Sequence, residues 1–338
     1  MSELYLIRNL LSIKTATAII NDYGIGKPIY SVVSLNGDSS RIIKKNIKDE
    51  AGEYKVCDSI SLNLLPFRLS SIFKQRKNVG NLKREVRRIF EEEEVERVFI
   101  TYPIHLDSYV YFSEAKKMGI EVCFFEEGPC FYRAGQTKQY EVVSLSTLIK
   151  KVYFKAVGLE YGYNFKPDKW YSSLPMEGKS LPINLVYSKV DLPQSVHNVF
   201  LSRPVSDDST DLSIFDEVDA IMLFIQKAHL TNEDIYIKFH PRESDSKRKQ
   251  LLNILKKMQV SAKCIKGTYS SEDMLFSMKK GVICGYDTTT LVYSKNINPN
   301  IKSYSVLGAI KDKDSSGFLN ECYNEYCNKY PHIEMILK

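Results

Sequence analysis

Three short stretches of this 338-residue chain carry side chains able to move a proton or hold an anion: Glu126-Glu127-Gly128, His240-Pro241 and Thr288-Thr289-Thr290. A carboxylate can act as a general base, and an imidazole gives or takes a proton near neutral pH. Hydroxyls beside the free N–H groups of a helix start can cradle a phosphate. Two neighbouring carboxylates disfavour joint ionisation, which would lift one of them and improve it as a base. Each stretch also has a plain reading: a turn with two solvated acids, a hydrogen-bonded strand-end histidine, and a threonine N-cap.

The elements around these stretches decide whether they share an edge. His240 follows residues 235–239, whose alternating Ile235, Ile237 and Phe239 predict a buried strand, and Pro241 ends it for want of an N–H. Residues 121–125 form a similar strand that runs into the acid pair, where Gly128 gives the backbone room to turn. Around them the first half alternates strands at 4–7, 29–35, 54–60 and 98–101 with helices at 10–22, 67–97 and 107–118, and a turn at Asn36-Gly37-Asp38. The loop Arg8-Asn9 follows the first strand at the start of a helix, a place for an anion or a sugar hydroxyl. The second half repeats the alternation. Strands at 198–201, 235–239, 261–265 and 281–284 alternate with helices at 212–229, 247–258 and 272–278, and the tail from Phe318 is helical. Ser202-Arg203-Pro204 closes the first of these strands, and Thr288 to Thr290 follow the last. Such alternation predicts two Rossmann-like α/β domains, with ligands bound beyond the carboxyl ends of the strands. Pro167, Pro175, Pro182 and Pro193 make 166–194 read as an irregular connection, dividing the chain into 1–190 and 191–338, with a terminal helix able to pack back on the first domain.

With 43% apolar and 26% charged residues, the composition is that of a soluble globular protein. No stretch approaches the roughly 18 apolar residues of a membrane span, and no leader is read at the start, so a cytoplasmic protein is expected. The seven cysteines form no Cys-x-x-Cys pair and read as reduced. A net charge of +6 is too modest to argue for nucleic acid. Charge is concentrated instead in Arg68, Lys74, Arg76, Lys77, Lys83, Arg84, Arg87 and Arg88, ahead of Glu91 to Glu94. That block is either a solvated face or a patch for an anionic membrane surface or acidic glycan. The helical stretch 148–163, aromatic and Lys-bearing, reads either as ordinary packing or as a helix lying on a membrane surface. Asp312-Lys-Asp314 has Asp-x-Asp metal spacing but lies in a Lys- and Ser-rich loop and reads as solvated.

The acid-acid-Gly, His-Pro and paired-hydroxyl motifs, in this order, resemble those of the bacterial sialyltransferases with the GT-B fold, two Rossmann-like domains facing across a cleft. The resemblance is particularly to the family 52 lipooligosaccharide sialyltransferases and the capsule polysialyltransferases. The chain departs from them in having Thr289-Thr290 where Ser is usual, two Glu where an Asp is common, and Arg8-Asn9 in place of Thr-Pro. The resemblance implies an inverting transfer of sialic acid from a CMP-sugar to a glycan hydroxyl, with no metal or other cofactor. Glu126 would be the base and Glu127 the second choice. His240 would assist the departing CMP phosphate. Gly128, Pro241, Thr288, Thr289, Thr290, Ser202 and Arg203 would lie on the donor side, and Arg8 and Asn9 on the acceptor side. Peripheral contact with the inner face of the membrane and a homodimer stay open. Rival readings are a CMP-Kdo, other CMP-nonulosonic acid or CDP-polyol transferase, and a non-catalytic glycan- or nucleotide-binding protein.

Overall fold

Near-continuous apolar runs such as Leu4-Tyr-Leu-Ile7 and Val98-Phe-Ile100 have no polar face to offer water, so they are buried on both sides of a parallel sheet. The computed structural model of the chain describes residues 1–33, 37–51, 55–59, 62, 69–101, 106–128, 131–132, 145–159, 166–176, 180–267 and 269–338. Asn36, Tyr54, Ile60, Phe67, Arg68, Pro129, Arg133 and residues 160–163, which carry sequence expectations, lie outside the described residues. The chain divides into two units, Met1–Val186 and Tyr187–Lys338.

In the first unit, strands β1 (Ser2–Ile7), β2 (Lys27–Val33), β3 (Lys55–Ser59), β4 (Val95–Ile100), β5 (Glu121–Phe125), β6 (Lys169–Ser172) and β7 (Leu181–Pro182) form one parallel sheet in the order β3-β2-β1-β4-β5-β6-β7. Helices α1 (Leu10–Tyr23), α2 (Gly37–Ala51), α3 (Leu69–Glu92), α4 (Leu106–Lys117) and α5 (Leu145–Ala156) accompany it. Tyr5, Ile7, Tyr30, Val32, Phe99, Cys123 and Phe125 pack with Ile13, Ala16 and Ile19 of α1 and Ile43 and Ile47 of α2. Residues of opposite parity, such as Phe124, meet the other layer through Phe112 of α4. Strand order reverses direction between β1 and β4, which opens the sheet's carboxyl edge there.

The second unit repeats the plan with β8 (Asn198–Leu201), β9 (Ile235–Lys238), β10 (Ala262–Cys264), β11 (Gly281–Gly285), β12 (Ile301–Ser305) and β13 (Ile333–Met335), all parallel, in the order β10-β9-β8-β11-β12-β13. Its helices are α6 (Val205–Asp208), α7 (Ile214–Lys227), α8 (Asp245–Lys257), α9 (Ser271–Ser277), α10 (Thr289–Ile297), α11 (Leu307–Ile310) and α12 (Phe318–Lys329). The switch point falls between β8 and β11. The terminal helix α12 buries Leu319, Cys322 and Tyr326 within this unit, where the Tyr326 hydroxyl donates to the Thr288 carbonyl.

Several elements differ from the sequence expectation. The stretch 166–194 contributes β6 and β7, because a sheet edge tolerates Pro182 where an interior strand would not. The turn expected at Gly37-Asp38 is the start of α2, won by Ile43 and Ile47 one helical turn apart. The helix expected over 67–97 stops at Glu92, and Glu94 takes a left-handed φ of 49° before β4 begins. Strands β12 and β13 were not anticipated. Among the described residues no helix is long and apolar enough to cross a membrane.

Candidate active site

In the first unit, three strand ends at the β1–β4 switch point bring Arg8, Asn9, Thr101 and the acid pair to one edge. Asn9 caps α1, its side chain accepting from Ser12 N at 2.8 Å while Ser12 Oγ accepts from Asn9 N at 3.1 Å. The Asn9 amide also donates to the Glu127 carbonyl at 3.2 Å, which fastens the acid turn to the opening loop. Arg8 forms a buried ion pair with Asp107 and donates to Ser108 Oγ at 3.1 Å. Both loop residues are thus engaged inside the unit.

The two acids part company as adjacent strand-end residues do. Glu126 is fully buried, its Oε2 accepting from the Tyr132 hydroxyl and, at 3.1 Å, from Ser173 N. Glu127 is only partly buried. Burial lifts its carboxyl above the ordinary range, Arg8 and Thr101 pull it down, and the charge of Asp107 adds to the lift. The like-charge push therefore comes from Asp107 and not from the adjacent acid, as the sequence had suggested. Gly128, at φ 150°, makes the turn that follows, a conformation costly for any residue with a Cβ.

In the second unit the His-Pro loop closes on itself. Glu243 N donates to the His240 carbonyl at 3.0 Å across a turn with Pro241 in its second position, and the Glu243 carboxylate returns to accept from His240 N at 2.6 Å. The same carboxylate, 3% exposed, accepts from Ser202 Oγ at 2.8 Å and so joins the loop after β8 to the loop after β9. Arg242 N donates to His240 Nδ1 at 3.2 Å. In the neutral ring the proton is therefore on Nε2, leaving a donor on that side. Burial, with Arg242 and Arg203 nearby, lowers the imidazole to about 4.

Carboxylates hold those cations in place. Arg242 makes a two-pronged pair with Asp208 at 2.8 and 2.9 Å, Arg203 pairs with Asp287 from the loop after β11, and Arg248 donates to the His240 carbonyl at 3.2 Å. The loops after β8 and β9 thereby carry Arg203, His240 and Arg242 at one edge, braced by Asp287 from the loop after β11, a constellation suited to an anion.

The threonine turn is built differently from the expectation. Thr288 caps α10 by accepting from Thr290 N at 3.3 Å. The Thr289 and Thr290 hydroxyls each donate to Glu272 Oε1 at 2.8 Å. A hydroxyl has a single proton, so neither can offer it to a phosphate oxygen while bound to Glu272. The main-chain N–H groups of Thr290, Leu291 and Val292 at the start of α10 all donate to Thr288, at 3.3, 3.1 and 3.4 Å, so the turn satisfies them internally as well. Asp314, in the Asp-x-Asp stretch, is spent on Leu319 N at 2.9 Å and on Ser316, while Asp312 pairs with Lys311 at 2.9 Å. Among the described residues no group of three or more His, Cys, Asp or Glu is placed to hold a metal ion. Glu243, Arg242 and Arg248 stand at this edge, and the sequence reading singled out none of them, placing Arg248 only within the helix at 247–258. Their signal was a carboxylate three residues past a His-Pro turn.

Residues 206–307 match the family model of the alpha-2,8-polysialyltransferases (POLYST). No curated protein sequence matches the chain. Among solved structures, one described as a UDP-N-acetylglucosamine 2-epimerase from Listeria monocytogenes superposes with a TM-score of 0.57 at 7% identity, covering 98% of this chain and 89% of that one. A UDP-glucosyltransferase from Polygonum tinctorium gives 0.54 at 10% identity over 90% and 80% of the two chains. The UDP-GlcNAc 2-epimerase of Methanocaldococcus jannaschii, in complex with UDP-GlcNAc and UDP, gives 0.53 at 11% identity over 100% and 89%. At such identities the likeness is one of fold. The chain is a protein of GT-B fold whose second unit, over residues 206–307, is similar to the alpha-2,8-polysialyltransferases.

Proposed function

We propose that the chain is an inverting glycosyltransferase that moves sialic acid from CMP-sialic acid to a sugar hydroxyl of a bacterial surface glycan, a lipooligosaccharide, an O-antigen or a capsule, at the cytoplasmic face of the inner membrane. One observation carries this reading: the polysialyltransferase match spans His240-Pro241 and the threonine turn, where His240 and Arg242 stand beside Arg203. The second unit would hold the CMP moiety. As the bond from the anomeric carbon to the phosphate oxygen breaks, Nε2–H of His240 donates to the departing phosphate and the guanidinium groups balance its charge. A leaving group with one phosphate develops less charge than a diphosphate, so these cations can serve without a metal.

The base in this reading is Glu127 rather than the first-choice Glu126. A base must reach solvent-borne substrate and hold a proton affinity near the working range. Glu127 is partly exposed and raised, whereas Glu126 is committed to Tyr132 and Ser173. The acceptor oxygen attacks the anomeric carbon and its proton passes to Glu127. A donor panel tests the reading: release of CMP from CMP-sialic acid should exceed that from CMP-Kdo and from a CDP-polyol, and preference for either of these would move the chain to a rival class.

Glu243 positions His240, and Glu243→Gln should separate that role from folding. The amide keeps the His240 N–H on its oxygen only by turning its nitrogen to Ser202 Oγ, which must then accept instead of donate, so the charged acceptor that fixes the loop is lost. Turnover should fall on the order of 10-fold to 100-fold with KM for the donor less affected, because the imidazole is displaced more than the phosphate site. Rescue by Glu243→Asp to within the wild-type range, or equal losses in KM and kcat, would contradict a positioning role that needs this side-chain length.

A further inference from the structure

We propose that the outer face of α3 with the neighbouring face of α5 is a docking surface for a membrane containing anionic phospholipid. The inference rests on the first unit alone and not on the transfer reaction. On α3, Gln75, Val79, Leu82, Val86, Ile89 and Phe90 are buried, which turns Phe73, Arg76, Lys77, Arg84, Arg87 and Arg88 outward. Lys74, Arg76, Lys77 and Arg84 form no ion pair among the described residues, so their charge is available. With a rise of 1.5 Å per residue, Glu91 lies about 27 Å along the helix from Phe73, and Glu85, the one acid between them, is only partly exposed.

Apolar side chains share this surface. Phe73 is 72% exposed, and on α5, which packs against α3, Val152 is 67% and Ile149 47% exposed. Lys83 Nζ donates to the Gly158 carbonyl at 2.5 Å and ties the end of α5 to α3. Lys155 adds a cation on the same strip as Ile149 and Val152. A purely solvated basic face has no use for an exposed Phe, Ile and Val. An acidic glycan would be met by cations and polar groups alone. A phospholipid surface takes both, lysine and arginine pairing with headgroups while the apolar groups enter the acyl boundary.

Co-sedimentation of the full chain with vesicles tests this. Binding to phosphatidylglycerol/phosphatidylcholine vesicles, weakened by salt and absent with phosphatidylcholine alone, is the expected result. Replacing Arg76, Lys77 and Arg84 by Gln together should weaken it on the order of 100-fold. Phe73→Ser with Val152→Ser should weaken it about tenfold while leaving its salt dependence. All these side chains point to solvent, so unchanged thermal unfolding is expected in both variants. No binding to anionic vesicles, equal binding by both variants, or retention on an acidic oligosaccharide without vesicle binding overturns the proposal.

Discussion

Glu127→Gln is expected to cut transfer by roughly 10² to 10⁴ while donor binding stays near the wild-type value. The carboxamide fills the same space and keeps the Asn9 bond to the Glu127 carbonyl, because that contact uses the main chain. What it cannot do is take the acceptor proton. Glu126→Gln should cost much less, since one amide oxygen can still accept from both the Tyr132 hydroxyl and Ser173 N. Glu126→Ala is a different case: it strands a buried tyrosine hydroxyl and a main-chain N–H, and about 1–3 kcal/mol of stability should go with it. Paired kinetics with donor titration decide the assignment. A severe defect in Glu126→Gln beside a nearly active Glu127→Gln would reverse it.

His240→Ala should lower turnover by a factor on the order of 10² or more with the fold intact, since the donor to the leaving phosphate is lost. The pH dependence carries a sign that can be checked separately. Unfolded, the imidazole takes a proton near the ordinary value of 6.5, whereas in the folded chain burial and Arg242 hold it at about 4. The unfolded state therefore binds more protons between these limits. This group's contribution to stability is full above pH ~6.5 and is lost as pH falls toward about 4. A His240→Gln chain should lack that component, so its denaturant midpoint should move closer to, or above, the wild-type midpoint as pH drops from 7 to 4.5. A gap between the two that does not change over this range would mean the ring is not held neutral. Bound phosphate should oppose the effect, because an anion at Nε2 favours the imidazolium.

Local grammar made much of the fold legible. Strand β5 was read with the ends it has, and β8 likewise, because apolar runs bounded by turn residues leave little choice. Errors arose where local signals conflicted with distant packing. The prolines at 175 and 182 argued for a linker, yet β6 found a partner in β5 through Trp170 and Tyr171. The acid pair and His240 do stand just past the ends of β5 and β9, as the alternation of the strands implies, since period-two alternation shows where a strand stops. Which acid faces outward was not legible, because the partners of Glu126 are Tyr132 and Ser173, the second of them 47 residues away. The threonine hydroxyls are the same kind of case: Glu272, 17 and 18 residues upstream, claims both protons. Sequence spacing alone gives no hint of such a pairing, whereas the phosphate reading follows from type and position.

The most direct measurement is the mass of a defined galactoside acceptor after incubation with CMP-sialic acid and the full chain, run beside the Glu127→Gln chain. The account predicts acceptor extended by sialic acid, in inverted anomeric configuration, with CMP released in equal amount by the wild type and almost none by the variant. Unextended acceptor across a panel of galactosides and sialosides, with CMP bound but never released from the donor, would contradict it and leave a nucleotide-binding protein without transferase activity.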